Sequence, residues 1–71
     1  MNKEKQFKAV DKLIEKYNLG TTYCGISDLL ILEVPDQLES TIEKELDKNN
    51  VIYDTDGYNK GYYYTIYDYI V

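Results

Sequence analysis

Apolar residues recur along this chain with two periods, and the switches between them mark out six elements. Phe7, Val10, Ile14 and Tyr17, with Leu13 beside them, stand at helical spacing and predict an amphipathic helix over about residues 3–18. Gly20 is expected to stop it in the left-handed conformation. A β-prone run, Thr21 to Ile26, leads through a tight turn at Ser27 and Asp28 into a second strand, Leu29 to Val34, which ends at Pro35-Asp36. Leu38, Ile42 and Leu46 form the stripe of a second helix. A capping box, Asp36 with Glu39 or Ser40 with Glu43, is expected to start it, and Asn49-Asn50 to end it. Val51 to Asp54 reads as a short third strand, Thr55 to Gly61 as a hairpin loop, and Tyr62 to Val71 as a long final strand.

The order is therefore α-β-β-α-β-β. The connection through the second helix is long enough for a parallel, right-handed crossover. Two amphipathic helices need a cover, and one four-stranded sheet supplies it. The expected fold is thus α+β, a two-layer sandwich with both helices on one sheet face, in a single domain spanning residues 1–71. In the second strand Glu33 marks an outer set with Leu29 and Ile31, leaving Leu30, Leu32 and Val34 for the core. In the last strand Tyr62, Tyr64, Ile66, Asp68 and Ile70 share one face, and Tyr63, Thr65, Tyr67, Tyr69 and Val71 the other. Ile66 and Ile70 assign the first set to the core, with Asp68 escaping to solvent near the strand end. The uncovered face should then display Tyr23, Leu29, Ile31, Tyr63, Tyr67 and Tyr69.

Composition changes this picture mainly through tyrosine, which occurs nine times, five of them between Tyr62 and Tyr69. Its ring buries well while its hydroxyl seeks water or a partner, so it suits half-buried and contact surfaces. Such a face is rarely left bare in a monomer. Two readings stand side by side: a surface for a partner or a second copy, or tyrosines tiling a solvated sheet through cross-strand pairs. An AT-rich genome would also raise tyrosine frequency, but it does not explain the clustering.

The net charge of −5 is unevenly spread: residues 1–20 carry five lysines against three acids, and residues 21–71 carry three lysines against ten acids. There is no arginine, the residue most used for bidentate phosphate and guanine contacts, so direct nucleic-acid binding is not expected. The acidic body suits solubility or a basic protein partner. No apolar run approaches a membrane span, the N-terminal residues do not read as a secretory signal, and a single cysteine fits a reducing compartment; a cytoplasmic location is expected.

Catalytic chemistry finds little footing. Histidine is absent, which removes the usual general base and the Ser-His and Cys-His pairs. Cys24 then lacks an activating partner and reads as a small buried hydrophobe. With one cysteine and no histidine an ordinary zinc site is excluded. The run from Asp54 to Asn59 superficially resembles a calcium loop, but its glycine is misplaced and the closing glutamate is missing. It reads as an ordinary turn, and no metal or cofactor is expected. The candidate contact residues are an acidic, tyrosine-bordered rim: Asp54, Asp56 and Tyr58 around the hairpin, with Tyr63, Tyr67, Asp68 and Tyr69 on the last strand. One functional expectation is a small inhibitor or adaptor that binds a larger protein with a basic surface. Size and composition resemble products of phages and mobile elements of low-GC bacteria, which implies antagonism of a host nucleic-acid enzyme such as a defence nuclease. The alternative is a self-associating or housekeeping module whose open face is closed by a second copy as a homodimer.

Overall fold

In a computed structural model the chain is described over residues 3–69. Helix α1 (Lys3–Tyr17) is followed by strands β1 (Gly20–Cys24) and β2 (Leu29–Pro35). A 3-10 turn (Asp36–Leu38) then leads into helix α2 (Glu39–Lys48) and strands β3 (Tyr53–Tyr58) and β4 (Gly61–Ile66). The expected α+β order is borne out. The strands form one antiparallel sheet in the order β1-β2-β4-β3. Because β2 and β3 both run antiparallel to β4, they are parallel to each other, and β4 fills the gap that the α2 connection leaves between them.

The core is built as the alternation in β2 requires. Leu30, Leu32 and Val34 are buried against Val10 and Leu13 of α1 and Ile42 and Leu46 of α2. Register places Ile66, Tyr64 and Tyr62 of β4 opposite Leu30, Leu32 and Val34, so these three share the helix-covered face. Tyr64 is fully buried and Ile66 nearly so.

Both helices end in backbone motifs that use asparagine. Asn18 (φ 53°) and Asn50 (φ 57°) are the left-handed residues. After α2, Asn50 N–H donates to the Asp47 carbonyl at 3.1 Å and Val51 N–H to the Leu46 carbonyl at 3.0 Å, a Schellman motif. Leu19 N–H donates likewise to the Ile14 carbonyl. Gly20, expected to be the left-handed stop, instead opens β1 opposite Glu33, since Asn18 has already turned the chain. Neither expected capping box forms: no side chain caps the 3-10 turn or α2, and Glu43 accepts from the Tyr64 hydroxyl instead.

The largest departures lie in the hairpin and the end of the chain. β3 runs through Tyr58, and only Asn59 and Lys60 turn between the paired Tyr58 and Gly61, so most of the expected loop is strand. β4 stops at Ile66, and Asp68 adopts a left-handed conformation (φ 55°). That turn folds the chain back, and Tyr69 N–H donates to the Asp28 carbonyl at 2.9 Å. Tyr69 is consequently a core residue, not an open-face one: its ring lies 4.9 Å from Phe7 and 5.9 Å from Tyr23, and its hydroxyl donates to Asp11 at 2.7 Å. Tyr23 also changes face, because it pairs with the buried Leu30. Ile70 and Val71, assigned to the last strand, lie outside the described residues.

Candidate protein-binding face

The sheet face turned away from the helices is ordered by register into rows, because directly opposed residues on antiparallel strands point the same way. One row reads Gly20, Glu33, Tyr63, Asp56 from β1 to β3, and the next reads Thr22, Ile31, Thr65, Asp54. Pro35, Gly61 and Tyr58 lie beyond the first row, and Cys24 and Leu29 beyond the second. Among these described strand positions no side chain is cationic.

Tyr63 stands at the centre of this face, with Glu33 on one side and Asp56 on the other. The ring of Tyr58 stacks on it at 4.3 Å and 18°. Tyr63 and Tyr67 are 37% and 39% exposed, leaving ring surface for a contact. The Tyr67 hydroxyl donates to the Asp54 carboxylate, which ties the chain just past β4 to β3 and raises the Tyr67 pKa. Partial desolvation raises the Tyr58 pKa, with Glu33 adding to the effect.

Of the residues singled out in the sequence, Asp54, Asp56, Tyr58, Tyr63 and Tyr67 are brought together here by β3–β4 pairing. Asp68 and Tyr69 are not: Asp68 leaves the sheet in its left-handed turn, and Tyr69 packs under α1. Glu33 joins the acidic set through the β2–β4 register, which no local pattern encodes. Cys24 is half-buried on this same face, and hydrogen bonds from Ser27 lower its thiol pKa, so it is not the buried hydrophobe expected. No group of metal-ligating side chains occurs among the described residues. No described helix is long and apolar enough to cross a membrane.

The remaining carboxylate–tyrosine bonds lie on the other side of the sheet. Tyr64 donates to Glu43 at 2.9 Å and Tyr53 to Asp47 at 2.8 Å, both acceptors on α2, while Tyr69 reaches Asp11 on α1. Burial, followed by the carboxylate bond, pushes Tyr53 and Tyr69 up to about 12 and Tyr64 further.

No protein-family model matches the chain, and no curated protein or solved structure is significantly similar to it.

Proposed function

We propose that this protein is a non-enzymatic binding module of the cytoplasm that lays its open sheet face on the basic surface of a larger, nucleic-acid-handling protein and blocks it, in the manner of a phage- or mobile-element-borne inhibitor. The observation that supports this is the uncovered row Glu33–Tyr63–Asp56, with Asp54 beside it and no cation among the strand residues of the face. Tyrosine rings contribute contact area at low entropic cost, and flanking carboxylates select lysine- and arginine-rich partners and speed their encounter. An isologous dimer through this face is disfavoured on the same grounds, since a two-fold axis near Tyr63 sets carboxylates against carboxylates.

The test is binding to basic DNA-binding nucleases, with duplex DNA as competitor. Affinity should fall steeply as salt rises, and DNA should displace the protein. The triple variant Glu33→Gln, Asp54→Asn, Asp56→Asn should bind at least about tenfold more weakly with its circular dichroism unchanged. Asp68→Asn should bind as the parent does. Undiminished affinity in the triple variant would sink the proposal.

A further inference from the structure

Opposite the acidic face, the two helices enclose a groove of about 550 Å³ whose character is the reverse. Lys5, Lys8, Lys12 and Lys16 line it from α1 and Lys48 from α2, with Glu45 as its one acid, over a floor that includes Ala9 and Leu13. Its basicity in an acidic protein has a structural cause. Asp11, Glu43 and Asp47 accept from Tyr69, Tyr64 and Tyr53, and none of the three lines the groove. Lys5, Lys8, Lys12 and Lys16 share one face of α1 by their spacing of three and four residues, and the tyrosine-bonded acids point elsewhere.

Even the shortest dimension of the molecule is 19 Å, about two Debye lengths at physiological ionic strength. Each face therefore presents its own charge to a neighbour, whatever the net total. We infer that the lysine groove of one copy receives the acidic open face of a second copy, giving head-to-tail self-association. The chain itself supplies both complementary surfaces: lysines on the helix layer, and Glu33, Asp54 and Asp56 around the stacked Tyr58–Tyr63 rings on the sheet. Ammonium groups set over those rings add cation–π attraction to the ion pairs. The contact is heterologous and joins opposite faces of the molecule, so successive copies stack in a line and the assembly grows with concentration. It borrows the acidic face of the proposed function, and a copy engaged this way is masked from a basic target.

Analytical ultracentrifugation of the full chain at low ionic strength tests this. The weight-average mass should rise with concentration from the 8.4 kDa of one chain and return to it in high salt. Lys8→Gln with Lys12→Gln neutralises the groove, and Asp54→Asn with Asp56→Asn neutralises the face; each double variant alone should remain monomeric. Mixed, they should form a one-to-one complex that grows no further, because one retains a working face and the other a working groove. A wild-type chain that stays monomeric at low salt overturns the inference, as does a mixture that forms no complex. So does wild-type monomer that binds polyglutamate, which would give the groove to a foreign acidic partner. The groove variant keeps its acidic face and should bind a basic enzyme at least as well as the parent, so the two proposals fail separately.

Discussion

Four of the nine tyrosines donate to a carboxylate among the described residues, and the bonds of three of them, Tyr53, Tyr64 and Tyr69, explain how so polar a side chain fills or borders a small core. Tyr64 is the clearest case, a fully buried ring whose hydroxyl emerges at Glu43 on α2. Tyr64→Phe keeps the packing but leaves that carboxylate without its donor, and should cost about 1–2 kcal/mol in denaturant unfolding. The bonds also set an alkaline limit. Tyr53 and Tyr69 titrate near 12 when folded, against about 10 in the unfolded chain, so the folded state holds more protons between those values. Their contribution is therefore complete below about pH 10 and is lost as pH climbs towards 12. Stability measured across that range should fall, and Tyr69→Phe should flatten the decline. Gly61 poses a different constraint: a Cβ there would sit 2.1 Å from the Val34 carbonyl oxygen. Gly61→Ala should cost about 3 kcal/mol, read as a lower denaturant midpoint at constant slope.

At the scale of elements, chain reversals decide the architecture. Both helices stop at an asparagine in the left-handed region, and Asn50→Ala should cost about 1 kcal/mol where Asn50→Gly costs little. Comparison of thermal midpoints distinguishes the two. The reversal at Asp68 is the one the alternation of YYYTIYDYIV conceals. Period-two reading carries the strand through Val71, whereas the chain leaves the sheet after Ile66 and returns Tyr69 to Phe7 and Asp11. Tyr69→Ala should accordingly destabilise the fold by about 3 kcal/mol, while Tyr67→Ala, at an exposed ring, should change it far less. Equal effects in chemical denaturation would contradict this placement.

For the whole molecule, the consequence of a two-layer sandwich is two faces with different chemistry, one acidic and aromatic, the other a lysine groove. Both proposals follow from that polarity, and both give association that weakens with salt. The sequence alone determines the element order, the helix stripes and the core set Leu30, Leu32 and Val34, because helical and strand periodicity are local properties of the chain. It also leads to the expectation of a two-layer sandwich, in which both helices share one sheet face and the other lies bare. Tertiary structure alone decides what that face contains. Strand register sets Glu33 and Asp56 on either side of Tyr63, while Asp68 turns Tyr69 inward. Register and late reversals depend on contacts between residues far apart in sequence, and a one-residue slip would exchange every side chain between core and surface.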